Sequence, residues 1–295
     1  VIRVLHFSDV HIQQPLTAMP TRELLTKRLI GGANLVLRRG KYFADAPAKL
    51  ERLAELRREI AADMVICTGD LTALGTEAEC VAARKAISGL LDAPRGMLLL
   101  PGNHDLYLDD AVRDLRFERH FGDLQASDEP GTDGPYPLLR LIGDELAIVA
   151  VNSARPNPNP VSSRGEVSEA QLRALSRLLD RHADRICIVM THYGPLRKDG
   201  RPDSPHHGMA HAEALMRVCA RARVVLVHGH IHFRYHHAPT AVRPWIFCAG
   251  SATYAGREGL WLYEVTRGLL RAVPGDFHGG NYRLLEDQAL ELAWL

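Results

Sequence analysis

The chain of 295 residues contains no continuous apolar run long enough to cross a bilayer as a helix. It has no Cys-x-x-Cys, and its five cysteines are odd in number, with Cys67, Cys187 and Cys248 inside apolar runs. A disulfide framework is therefore not expected; these thiols read as small buried hydrophobes in a reducing compartment. Neither sign of charge is in excess: 36 Lys and Arg face 35 Asp and Glu, a formal net charge of +1. That excludes a whole-molecule polycation signature for nucleic acid and leaves room only for a local basic groove. Internal repeats and low-complexity linkers are absent, and Val1-Ile2-Arg3-Val4 runs straight into a strand pattern, so no signal peptide is visible. Cytoplasm is the expected location. The apolar fraction of 46% and charged fraction of 24% are ordinary for a globule. The length suits one large α/β domain, and a single domain over 1–295 is the simpler expectation.

Five apolar, strand-like runs each end on a residue type that binds metal. Val4-Leu5-His6-Phe7-Ser8 leads to Asp9 and His11, and Met64–Thr68 leads to Gly69-Asp70. Met97–Leu100 leads to Gly102-Asn103-His104-Asp105, Ile186–Met190 to His192, and Val224–Val227 to Gly229-His230-Ile231-His232. Residues two apart in an extended segment project to one side, so His230 and His232 are expected to reach one small volume. Glycine directly before Asp70, Asn103 and His230 suggests tight turns where each strand delivers its ligand.

Between these runs, helical spacing predicts helices over about Ala48–Ala62, from the Thr76-x-x-Glu79 capping box to Leu91, from Ser168-x-x-Gln171 to His182, and near Ala210–Ala222. Further strands are expected over Tyr136–Ile142, Leu146–Val151, Trp245–Ala249, Leu260–Val265 and Leu269–Val273. Gly122–Pro137 reads as loop, and Arg155-Pro156-Asn157-Pro158-Asn159-Pro160 cannot be helix because alternating prolines remove donors. A basic and apolar insertion fills Gln13–Pro47, and a Leu-rich tail closes the chain over about 276–295. Strand–helix alternation followed by strands suggests two packed sheets with helices outside.

Asp9, His11, Asp70, Asn103, His192, His230 and His232 make seven donors of mixed imidazole and oxygen type. Such a set suits Mn, Fe, Zn, Ni or Co better than Ca or Mg. Seven are too many for one tetrahedral ion and the right number for two ions sharing a bridging carboxylate, a pair that clamps the oxygens of an in-line displacement at phosphorus. Two divalent ions less Asp9, Asp70 and a hydroxide leave one positive charge, which favours an anionic phosphoester and a hydroxide nucleophile. His104, next to Asn103, is expected to face the substrate and protonate the leaving oxygen or hold a phosphate oxygen, with Asp105 orienting it.

Asp-x-His, Gly-Asp, Gly-Asn-His-Asp, His and Gly-His-x-His, in this order from Asp9 to His232, resemble the calcineurin-like metallophosphoesterase superfamily. The resemblance implies a four-layer αββα sandwich. It also implies that Asp9, His11 and His232 hold one metal, Asn103, His192 and His230 the other, that Asp70 bridges and that His104 is the catalytic histidine. Manganese is the first expectation for the metal. Gly69-Asp70-Leu71-Thr72 departs from the Gly-Asp-x-Val-Asp-Arg-Gly of protein serine/threonine phosphatases. Together with Gly102-Asn103-His104-Asp105, Asn152-Ser153 and Gln171-Leu172 it is similar to class III cyclic-nucleotide phosphodiesterase relatives. A phosphodiesterase acting on a cyclic-nucleotide, nucleotide or nucleic-acid substrate is the leading expectation, with nucleic acid entering only as substrate. The alternatives are a phosphomonoesterase or lipid-linked pyrophosphate hydrolase on the same fold, and a non-catalytic protein-interaction module.

His6 and His228, inside strands, read as structural. Arg155, Arg164, Arg197 and His207 are candidates for holding substrate phosphate oxygens. His206, His207, His211, His236 and His237 are more simply loop or substrate contacts than a third metal site. The insertion reads as core packing, a substrate lid or, least expected, a membrane contact; the tail reads as a packing or homodimer element.

Overall fold

Two blocks of parallel strands carry the apolar runs. The computed structural model describes residues 1–24, 26–129, 134–159 and 162–294; Leu25 of the insertion, 130–133 of the expected loop, Pro160 of the proline run and Leu295 of the tail lie outside them. The strands are β1 (Ile2–Phe7), β2 (Met64–Cys67), β3 (Met97–Leu99), β4 (Leu138–Ile142), β5 (Leu146–Ala150), β6 (Gly165–Glu166), β7 (Ile186–Met190) and β8 (Met209–Ala210). They continue with β9 (Val224–His228), β10 (Arg234–His237), β11 (Trp245–Ala249), β12 (Leu260–Thr266), β13 (Leu269–His278), β14 (Asn281–Leu284) and β15 (Leu290–Glu291). The helices are α1 (Thr21–Leu24), α2 (Lys27–Asn34), α3 (Ala46–Glu59), α4 (Glu77–Ala86), α5 (Asp109–Arg113), α6 (Arg116–Phe121), α7 (Glu169–Arg181) and α8 (Ala212–Cys219).

One sheet has the order β14-β13-β12-β1-β2-β3, with β15 on β13; the other runs β10-β11-β9-β7-β5-β4. Strands β1, β2 and β3 are mutually parallel, as are β5, β7, β9 and β11. Parallel strands covered on both faces read as unbroken apolar runs, which is why these were visible in the sequence. Val4, Ile66, Leu98, Ile188, Val227, Phe247 and Tyr263 fill the space between the sheets. Helices α3 and α4 cover the outer face of the first sheet through Leu50, Leu53, Cys80 and Ala83. Helices α7 and α8 cover the second through Leu175, Leu179, Leu215 and Cys219. The result is the expected αββα sandwich. Each fully buried leucine or valine in it contributes on the order of 1.5–3 kcal/mol.

Both helix-start signals act as the spacing predicts. Thr76 Oγ1 accepts from Glu79 N while Glu79 Oε2 accepts from Thr76 N, each at 3.2 Å. Ser168 Oγ accepts from Gln171 N at 3.3 Å. The expected helix to Leu91 ends earlier, at Ala86, and gives way to a 3-10 turn over Ser88–Leu90. The expected helix at 210–222 shortens to α8 because His211, at φ 63°, cannot be a helical residue. Helices α5 and α6 and the edge strands β10 and β14 were not anticipated.

The insertion forms α1, α2, a five-residue π-turn (Leu35–Arg39) and a 3-10 turn (Gly40–Tyr42). Much of its apolar surface does not pack on the core: Leu29, Ile30, Val36 and Leu37 are exposed. Polar bonds hold it instead. Arg28 is fully buried, bonds Leu74 O at 3.0 Å and grips Asp110 through two bonds of 2.8 and 3.0 Å. Arg116 shares the same carboxylates, Glu23 at 3.3 Å and Asp110 at 3.4 Å. The tail packs on its own chain: Leu292 is buried, Trp294 Nε1 donates to Gly268 O, and Trp245 Nε1 donates to Ala293 O.

Candidate metal centre

All seven expected ligands leave the carboxyl ends of parallel strands, where ligands of open α/β sheets gather. Asp9 and His11 follow β1, Asp70 follows β2, Asn103 follows β3, His192 follows β7, and His230 and His232 follow β9. The sheets meet here through direct bonds. His230 N donates to Asp9 Oδ2 at 2.9 Å, and His192 Nδ1 donates to Thr68 O at 2.7 Å. That second bond fixes the tautomer and leaves His192 Nε2 as a free lone pair.

The donors fall into two groups. Ligand atoms of Asp9, His11, Asp70 and His232 all lie within 4.8 Å of one another. Within this group His232 Nε2 is 3.1 Å from Asp9 Oδ1 and 3.0 Å from His11 Nε2. In the second group, Asn103 Oδ1 lies 3.0 Å from both His192 Nε2 and His230 Nδ1. Asp70 Oδ2 stands between them, 3.7 Å from His11 Nε2 and 3.5 Å from His192 Nε2.

His230 and His232 do not share one volume. Neither is extended, with φ at 69° and 58°, and each imidazole serves a different group. Asp9, His11 and Asp70 are left-handed as well, at 56°, 52° and 58°. Asp, Asn and His are the non-glycine types that tolerate this region best. The preceding glycines have two different reasons. Gly69 has a φ of 100°, which favours glycine, whereas Gly102 and Gly229 are needed for space. A Cβ on Gly102 would lie 2.1 Å from Asp70 Oδ1, and one on Gly229 2.3 Å from Asp9 Oδ2.

The electrostatics fit missing positive charge. Burial alone would raise Asp9, but the His232 imidazole beside it holds its carboxyl well below the usual range. Asp70 is pushed well up, first by burial and then by the Asp9 carboxylate. Burial also drives His11 and His230 well down, so these imidazoles are neutral, lone-pair ligands. Two buried carboxylates facing neutral imidazoles and an amide oxygen are a donor set that borderline divalent cations match.

His104 sits in a turn, not an extended strand end, yet its ring centroid is 4.7 Å from that of His11. Its Nδ1 donates to Ala73 O at 2.5 Å, which leaves Nε2 free, and burial lowers its pKa to about 3. Asp105 does not orient that ring. Its carboxylate accepts instead from Asp70 N, Thr72 N, Thr72 Oγ1 and Gly102 N at 2.8–2.9 Å, clamping the two ligand loops together. Adjacent residues in a turn point apart, so proximity in sequence misassigned it.

The expected phosphate holders are engaged elsewhere. Arg155 pairs with Glu166 at 2.8 Å, Arg197 with Asp199 at 2.8 Å, and His207 Nδ1 bonds Ser163 Oγ at 2.8 Å. Among the described residues no third His/Asp cluster forms: His211 Nδ1 donates to Val167 O, and His237 Nε2 donates to Arg197 O. His6 is structural as expected, bonding Tyr263 and Thr68; His228 Nδ1 donates to Gly229 O. Sequence reasoning missed Ser153, whose hydroxyl accepts from His192 N and Tyr193 N, and Phe43, whose ring packs 4.7 Å from His11.

A model of the calcineurin-like phosphoesterase family matches residues 2–234. Among solved structures, the chain is similar to a dimetal phosphatase from Danio rerio, with a TM-score of 0.69 and 14% identity over 97% of this chain and 98% of that one. It is also similar to the purple acid phosphatase PPD1 from yellow lupin seeds, at a TM-score of 0.58 and 10% identity over 99% of this chain and 53% of that one. At these identities the likeness is one of fold. No curated protein matches the sequence.

Proposed function

Because the chain belongs to the calcineurin-like phosphoesterase family, we propose that its Asp–His–Asn centre is a dinuclear metal site that hydrolyses phosphoesters, with phosphodiesters preferred. The observation that carries this reading is the position of Asp70, whose Oδ2 lies 3.7 Å from His11 Nε2 and 3.5 Å from His192 Nε2, one carboxylate within reach of both donor groups. Asp9, His11 and His232 would hold one cation and Asn103, His192 and His230 the other. Bound there, two divalent ions would supply the charge that polarises a phosphoryl group and acidifies water.

The chain's own residues do the rest. Thr68 O holds His192, Asp9 holds the His230 backbone, and Asp105 holds the Asp70 and Gly102 backbones, so the donors are fixed before anything binds. His104 is anchored at Nδ1 by Ala73 O. An anionic phosphoryl group beside the ring would draw a proton onto its free Nε2; the protonated ring then holds a phosphoryl oxygen or hands that proton to the departing alkoxide, returning to the neutral form. The diester preference is supported by Gly69-Asp70-Leu71-Thr72 and Gly102-Asn103-His104-Asp105, the patterns similar to cyclic-nucleotide phosphodiesterase relatives.

The test is hydrolysis of bis(p-nitrophenyl) phosphate against p-nitrophenyl phosphate by manganese-loaded protein. A higher kcat/KM on the diester supports the proposal. A monoester preference would make the protein a phosphatase, and no turnover of either with two metals bound would remove the catalytic reading.

A further inference from the structure

The helical stretch of the insertion has its amphipathic faces inverted. Helix α2, the π-turn Leu35–Arg39 and the 3-10 turn Gly40–Tyr42 follow one another without a break. At about 100° per residue, positions 28, 31, 32 and 35 share one side and positions 29, 30, 33, 36 and 37 the other. The first side faces the protein. Arg28 and Gly32 are buried; a Cβ on Gly31 would lie 2.4 Å from Tyr107 Oη, and one on Gly32 2.5 Å from Leu16 Cδ2. The second side faces outward with Leu29, Ile30, Val36 and Leu37, which are 51%, 60%, 74% and 78% exposed. An ordinary surface helix buries its apolar stripe and exposes its charges. Here the polar anchor is inside and the aliphatic stripe outside, and contiguous exposed apolar surface of this kind marks an interaction site.

The charge around this stripe has one sign. Positions 26–44 hold Lys27, Arg28, Arg38, Arg39 and Lys41 and no acidic residue. Lys27 is spent on Asn157 O and the Tyr107 ring, and Arg28 on Asp110. Arg38 and Lys41, at the end of the stripe, are exposed, and among the described residues neither has an ion pair. A second copy docked on the same face through a two-fold axis would set these cations against each other. The stripe also lacks the tyrosine and tryptophan that dominate protein contacts. Aliphatic side chains flanked by lysine and arginine are instead the composition of a helix lying in the plane of a bilayer. Its apolar face sits among the acyl chains and its cations reach the headgroups. No helix among the described residues is long and apolar enough to cross a membrane, so the contact this face offers is with the bilayer surface.

We propose that the outward face of 29–37 is a membrane-docking surface that seats on a bilayer containing anionic lipid, with Arg38 and Lys41 at the headgroups. The stretch leads directly to Phe43, whose ring lies 4.7 Å from that of His11, so docking here tethers the metal centre to the bilayer. The proposal stands apart from the hydrolase reading, because its test reads binding and not turnover. The full chain is floated with vesicles of phosphatidylcholine alone and of phosphatidylcholine with phosphatidylglycerol, at low and high salt, and its size is measured by gel filtration. Wild type is expected to float with the anionic vesicles and to be released by salt. Ile30→Ser/Leu37→Ser and, separately, Arg38→Glu/Lys41→Glu should each weaken that binding by about tenfold or more at an unchanged melting temperature. The charge variant leaves the aliphatic stripe intact and carries the test should the serine variant fold poorly. Wild type that floats with neither vesicle overturns the proposal, as does binding that both double variants retain. Equal binding to the neutral vesicles overturns the role given to the cations. Loss in the charge variant alone overturns the proposal in favour of nonspecific attraction to anionic lipid. A wild-type dimer that the double variants convert to monomer, without vesicle binding, overturns it in favour of a second copy of the chain.

Discussion

The Nε2 atoms of His11 and His232, 221 residues apart in sequence, face each other at 3.0 Å. A divalent cation can take a lone pair from each of these two ring nitrogens. Metal binding is therefore linked to folding, because the two histidines come from opposite sheets. Ligand at about 100 times its Kd contributes about 2.7 kcal/mol per site. Protein stripped with chelator should melt several degrees below protein reloaded with manganese, as read by scanning calorimetry. Identical melting curves would contradict a metal centre at this position.

Asp70 reaches both donor groups and Asn103 only one, so their substitutions should differ in stoichiometry. Asn103→Ala is expected to retain one metal per chain and Asp70→Asn to hold less than one where wild type holds two. Elemental analysis after gel filtration reads both values. Equal loss in the two variants would show that Asp70 does not bridge.

His104 and Asp105, neighbours in sequence, should separate cleanly. His104→Ala is expected to keep its metals and lose about 10²–10⁴-fold in kcat. Asp105→Ala leaves several buried backbone amides without an acceptor, each costing about 1–3 kcal/mol, and should appear chiefly as a drop in urea midpoint. A His104 variant that lost metal, or an Asp105 variant as stable as wild type, would reverse these assignments.

Glu79 gives the fold a pH dependence of its own. Burial raises its carboxyl from the ordinary 4.5 of a free glutamate to about 7. Between those values the folded chain binds the proton more tightly, so stability is greater at the acid end and falls as pH rises toward 7. The difference is on the order of 3 kcal/mol. Glu79→Gln keeps a side-chain oxygen for Leu74 N and Thr76 N and should flatten the fall. Melting temperatures at pH 5 and pH 8 for the two proteins provide the comparison.

The sheets and ligands were legible because β1, β2, β3, β7 and β9 are buried apolar runs that each end at a ligand. Strands β10 and β14 were not, since only Tyr235 in one and Tyr282 in the other are buried, too little alternation to stand out. The seven ligand identities could be read from residue type and order. Their grouping could not be read from extended-chain geometry, because five of the seven are left-handed.

Those left-handed positions also decide which substitutions the chain can hide. Asparagine and glycine accept that torsion readily, whereas β-branched residues do not. At Asp9 or Asp70 an exchange to Asn therefore removes a charge while sparing the backbone, and an exchange to Val threatens the loop itself. A disabling lesion here can pass unnoticed in a melting curve of the metal-free protein, so screens for damaged variants of this fold that score solubility alone will count inert proteins as healthy.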